Sequence, residues 1–171
     1  MKSCKQKISI LLFCLCVFLS GCASCQTGHH SVSVGVCSKC NQIVGQDLVQ
    51  KIGVYLESSA TRASSAALKL TIITDYDNFY DGFYTQALKF IEDMKSINAD
   101  YDNAIELCGN IPELRDLKAS IIDLQSALPL SVSGSDHESF HAFTDDVQTF
   151  SNKGVIMSIE YQKVLDLVEL S

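Results

Sequence analysis

Basic side chains are scarce in this chain. Thirteen Lys and Arg stand against 20 Asp and Glu, a formal net charge of -7 over 171 residues. With no basic cluster to neutralise phosphates, a nucleic-acid backbone or an anionic membrane surface is excluded as an electrostatic partner. A membrane-spanning apolar run is also missing. The low-polarity stretch Ile8 to Leu19 has twelve residues, about 18 Å as a helix against a hydrocarbon core of about 30 Å, too short for a permanent transmembrane helix. Tryptophan is absent and proline occurs only twice, at 112 and 129. What is present is 47% apolar, which excludes disorder for most of the chain, at a length suggesting one domain with or without an appendage.

Lys2, Lys5 and Lys7 precede the Ile8 to Leu19 run, and the small or polar residues Ser20 to Ser24 follow it. That is the layout of a cleaved export signal. Within it, Leu19-Ser20-Gly21-Cys22 resembles the lipobox of bacterial lipoproteins. The resemblance covers only the first 22 residues. It implies that Cys22 is diacylated and becomes the new N-terminus, tethering the chain to a membrane, the outer one if the host has two. Two or three acyl chains make a stable anchor where one does not. A plain secretory signal cut after Ser24 is the rival reading, and both place the mature chain outside the cytosol. Removing residues 1–21 takes away three Lys and no acid, so the mature charge falls to -10.

Residues 22–40 read as a Cys, Gly and Ser-rich tether, with a brief strand-like alternation at Val32, Val34 and Val36. From 41 onward the apolar spacing is helical. Tyr76, Phe79, Phe83, Ala87, Phe90, Met94, Ile97, Tyr101, Ala104 and Cys108 recur at gaps of three or four. Pro112 restarts a second stripe, Leu114, Leu117, Ile121, Leu124 and Leu128, which Pro129 ends. A third stripe runs from Phe140 to Val168, with Gly154 marking a kink or break. The segment from Ile43 to Ile73 is weakest, because Gly45, Gly53 and its Ser-rich middle lower helix propensity and Leu70 to Thr74 is β-branched enough for a strand. Helices are therefore expected at about 41–73, 76–108, 112–128 and 138–170. The fold class expected is all-α, an antiparallel four-helix bundle with an irregular, disulfide-tied N-terminal segment.

Asp-Tyr-Asp-Asn occurs at 75–78 and again at 100–103. Twenty-five residues is close to seven helical turns, so the pattern reads as solvated acids flanking core tyrosines. Phe79 stands where an EF-hand loop needs an oxygen ligand.

Apart from Cys22, the mature chain holds Cys25, Cys37, Cys40 and Cys108, an even number in an oxidising compartment. If the first two helices form an antiparallel hairpin, Cys108 returns beside Cys37 and Cys40. A Cys40–Cys108 bridge is expected, with Cys37–Cys108 as the lesser alternative and Cys25 on the remaining thiol. Closing a loop of about 70 residues would contribute on the order of 4 kcal/mol. Two other uses of these residues exist. Cys37-x-x-Cys40 at a helix start could be redox-active, but the alternating strands of a thioredoxin-like context are absent. Cys25, His29, Cys37 and Cys40 could instead make a tetrahedral zinc site.

His137-Glu138-Ser139-Phe140-His141 matches H-E-x-x-H. In that pattern two imidazoles one turn apart hold zinc and the Glu activates a metal-bound water. With Glu160 downstream it resembles the gluzincin metallopeptidases, which implies His137, His141 and Glu160 as ligands and Glu138 as general base. Two things are missing. The region before the motif reads as helix where a zincin has a substrate-ordering strand, and Thr144 and Val147 replace the Gly and third His of the metzincin extension. The favoured reading is a non-catalytic, acidic envelope protein anchored through Cys22, with an unidentified protein partner and no cofactor. A small zinc peptidase and a secreted helical binding protein without lipid are the alternatives.

Overall fold

A computed structural model describes residues 29–70 and 79–169. Among the described residues the fold is all-α apart from one small hairpin. Strand β1, Gly35–Val36, pairs antiparallel with β2, Ile43–Val44, in the register Gly35 to Val44 and Val36 to Ile43. Helices α1 (Gln46–Leu70) and α2 (Phe79–Cys108) follow, then a 3-10 turn at Pro112–Leu114, α3 (Arg115–Ser126) and α4 (His137–Glu169).

The apolar stripes become the core because a three-or-four spacing returns to the same helix face. On α2, Phe83, Ala87, Phe90, Met94, Ile97, Tyr101, Ala104 and Cys108 are all buried. Leu114, Leu117, Ile121, Leu124 and Leu128 form the matching face around α3. On α4 the buried face holds Phe143, Phe150, Met157, Val164 and Val168. Helix α1 packs most extensively on α2, and α3 packs on both α2 and α4. Arg62 pairs with Asp100, and Lys69 Nζ lies 2.7 Å from Asp93 Oδ2, so α1 and α2 run antiparallel.

The helices differ from expectation in several places. The third, expected at about 112–128, is α-helical only over Arg115–Ser126, the preceding turn from Pro112 being 3-10. The first helix begins at Gln46 rather than at 41, because residues 41–45 complete the hairpin and Gly45, at φ +81°, turns the chain into α1. A Cβ there would lie 2.7 Å from the Ser33 carbonyl oxygen, so only glycine lets the two backbone segments approach. The segment read as a tether therefore contributes to the fold: Val34 is 2% exposed and belongs to the core. The fourth helix, by contrast, passes through Gly154 without a break. Its start is set by Asp136, whose Oδ1 accepts the Ser139 N–H at 2.7 Å. These backbone N–H groups hold the Asp136 carboxyl below the usual range.

Candidate functional site

The H-E-x-x-H residues occupy the first turns of α4. His137 and His141 are exposed one turn apart, their Nε2 atoms 3.0 Å from each other. Tyr80 packs edge-on against His137, and Phe140 meets Phe79, Tyr80 and Phe83 on the inner side of the same turn. Glu138 is exposed. Glu160 does not join them. It lies on the same uninterrupted helix, about 28 Å along the axis from His141 at 1.5 Å per residue, where Lys163 Nζ sits 2.7 Å from its carboxylate. A gluzincin places its third ligand on a separate helix that folds back, and a single straight helix cannot. The expected His137, His141, Glu160 set is thus corrected to an exposed pair of imidazoles without a third ligand from Glu160.

The second cluster is built by the hairpin. Between β1 and β2 the chain reverses over Cys37-Ser38-Lys39-Cys40, with the Asn41 N–H donating to the Cys37 carbonyl at 2.8 Å and the Cys37 N–H to the Gln42 carbonyl at 2.9 Å. Asn41 takes φ +56°, a left-handed conformation that Asn tolerates better than most residues. The turn brings Cys37 and Cys40 to one side, where His30 meets them. One donor atom from each of the three lies within 4.8 Å of the others, and Cys40 Sγ is 3.7 Å from His30 Nδ1. Cys37 is buried, while His30 and Cys40 are partly exposed. Ser31 Oγ stands 3.4 Å from the Cys37 sulfur and also accepts the Ser38 N–H at 3.1 Å. That hydroxyl, followed by the Ser31 backbone, lowers the Cys37 thiol to about 4 from its ordinary 9.

This grouping changes the cysteine expectations. No disulfide joins the described cysteines, and Cys40 and Cys108 carry free thiols. The hairpin segment does reach the 3-10 turn that follows α2, since the Ser33 N–H donates to Glu113 Oε1 at 3.3 Å. Cys108, however, is fully buried in the helical core, and burial pushes its thiol up to about 11. Cys40 belongs instead to the group with His30 and Cys37 outside that core. Proximity of the chain segments was inferable from the antiparallel pairing; the direction of each Cβ was not. The histidine of the cluster is His30, not its neighbour His29. Cys22, Cys25, the export signal and the first Asp-Tyr-Asp-Asn segment lie outside the described residues.

A third feature is a groove of about 290 Å³ between α1 and α4, floored by Tyr101 and Leu124. On the α1 side its wall is small, Ser59, Ala60, Ala63 and Ser64; on the α4 side Ser151, Gly154 and Ser158 alternate with the larger Phe150, Val155 and Met157. Val155, part of that lining, is 59% exposed, and Ile156 and Ile159 on the outer side of α4 are 53 and 51% exposed. The stripes had marked Tyr101 and Leu124, but the serines of the walls were not singled out, because small polar residues carry no stripe signal. No known family model, curated protein or solved structure matches this chain.

Proposed function

We propose that this chain is an exported, lipid-anchored, non-catalytic protein of the cell envelope, folded as an antiparallel four-helix bundle and acting as an interaction module. The observation that carries the reading is the order of features at its start: Lys2, Lys5 and Lys7, the apolar run, Leu19-Ser20-Gly21-Cys22, and then a short tether into the hairpin. Acylated Cys22 holds the membrane through its acyl chains, at about 0.8 kcal/mol per buried methylene. No helix among the described residues is long and apolar enough to cross a membrane.

The interaction face is the groove between α1 and α4, with exposed Val155 on its lining and exposed Ile156 and Ile159 on the adjoining outer side of α4. Clustered apolar exposure of this kind marks protein contact sites. The small residues of the α1 wall let a helix backbone approach closely, and a mature charge of -10 favours a partner helix with an apolar face and basic flanks.

Intact mass of the protein extracted from membranes tests the anchor. A diacylglyceryl group on Cys22, and release of a Cys22→Ser variant from the membrane fraction, are the expected results; an unmodified N-terminus at or beyond Ala23 would overturn it. A photocrosslinker at position 155 tests the face in intact cells. It captures one discrete partner, while the same probe at exposed Asp145 does not; equal labelling from both positions removes the assignment.

A further inference from the structure

We propose that His30, Cys37 and Cys40 form a zinc-binding site built into the β1–β2 hairpin. Two thiolates and an imidazole are the donor set that borderline zinc(II) prefers over the hard cations, which take oxygen ligands. Spacing agrees with the donor types. Zn–S bonds of about 2.3 Å and Zn–N bonds of about 2.0 Å in a tetrahedron put sulfur and nitrogen about 3.6 Å apart. Cys40 Sγ and His30 Nδ1 are 3.7 Å apart, and all three donors lie within 4.8 Å of one another.

The backbone holds the donors in this arrangement. The Asn41-to-Cys37 and Cys37-to-Gln42 hydrogen bonds close the turn that aims both sulfurs to one side. Val34 anchors the incoming strand in the core, and β1 lies against α4 at Leu167. Ser31 bridges Cys37 and the Ser38 N–H, the kind of outer contact that orients a ligating sulfur. The strands themselves are only two residues each. A hairpin that short has little stability of its own, and a metal tie across residues 30, 37 and 40 would stabilise it much as structural zinc does in other small folds. The exposed His137–His141 pair on α4 contains no thiolate and is a separate, weaker donor set.

The test uses the intact protein, reduced and stripped with a chelator, titrated with cobalt(II) and then with zinc. Cobalt gives thiolate charge-transfer absorption at one equivalent, zinc displaces it, and zinc raises the melting temperature. Cys37→Ser and Cys40→Ser lose the band, His30→Ala weakens it, and His137→Ala with His141→Ala leaves it unchanged. The partly exposed His30 variant keeps the test open if a cysteine variant fails to fold. Absence of the band, its survival in both cysteine variants, or its loss in the α4 double variant overturns the site. So does a Cys37–Cys40 disulfide found by thiol trapping in freshly isolated protein.

Discussion

Gly53 on α1 faces the hydroxyl of Tyr161 on α4: a Cβ built on Gly53 would lie 2.1 Å from that oxygen and 3.0 Å from the ring carbon bearing it. The hydroxyl donates to the Val49 carbonyl at 3.3 Å, one turn earlier on α1. Glycine in mid-helix costs about 1 kcal/mol relative to alanine, and here it makes room for the tyrosine. Gly53→Ala forces Tyr161 aside, and overpacking of this kind costs about 1–3 kcal/mol. The net loss expected is about 1 kcal/mol, measured by urea unfolding. In a Tyr161→Phe background the oxygen is gone and only the 3.0 Å approach to the ring carbon remains, so the same substitution costs less. Equal effects of Gly53→Ala in both backgrounds would contradict the contact.

Gly154 presents the opposite case. Nothing lies within 4 Å of a Cβ added there, and it sits inside a continuous helix. Gly154→Ala should stabilise by about 0.5–1 kcal/mol through helix propensity alone. Thermal unfolding checks it, and a lowered melting temperature would mean the α4 side of the groove is more tightly packed than the structure has it.

The buried Cys108 thiol makes stability fall in alkali. Its folded pKa is about 11 against an ordinary 9, so between those values the unfolded chain has lost a proton that the folded chain keeps. Stability is fully present below pH 9 and declines as pH rises toward 11, by on the order of 2 kcal/mol in all. Urea midpoints at pH 8 and pH 10.5 should fall further for the wild type than for Cys108→Ala. Parallel falls in the two proteins would show that the thiol ionises as freely folded as unfolded.

Asp136 has the reverse sign. Hydrogen bonds from the start of α4 hold its carboxyl below the usual range, so its contribution is present above the unfolded carboxylate pKa of about 4 and is lost as pH falls through the folded value. Asp136→Ala should lower the melting temperature at pH 7 and narrow its difference from wild type at pH 3. A difference that grows toward acid would exclude the capping role.

Much of the helical body was legible in the residues. From Phe83 to Cys108 and from Leu114 to Leu128 the stripes predicted buried faces that the structure bears out, because a helix returns an apolar residue to the same side every three or four positions whatever its neighbours do. The first helix was the least legible. Its buried face includes Gly53 and Ser59, which carry no apolar signal and are placed there by Tyr161 and Tyr101 on neighbouring helices.

The candidate sites divide along the same line. Spacing alone put His137 and His141 on one helix face, since one turn is a local property. Whether Glu160 could join them depended on α4 running straight through Gly154, which no local pattern states. Likewise Cys37-x-x-Cys40 read as a helix start; that it is a hairpin turn, which histidine meets the thiols, and that Cys108 lies in the core instead followed from how the hairpin seats against the helices. The sequence by itself determined the helical faces and the acidic charge, because the first depends on neighbours along the chain and the second on composition alone. Only the tertiary structure decided which donors converge and where a groove stays open, because those depend on side-chain directions at contacts between segments far apart in sequence.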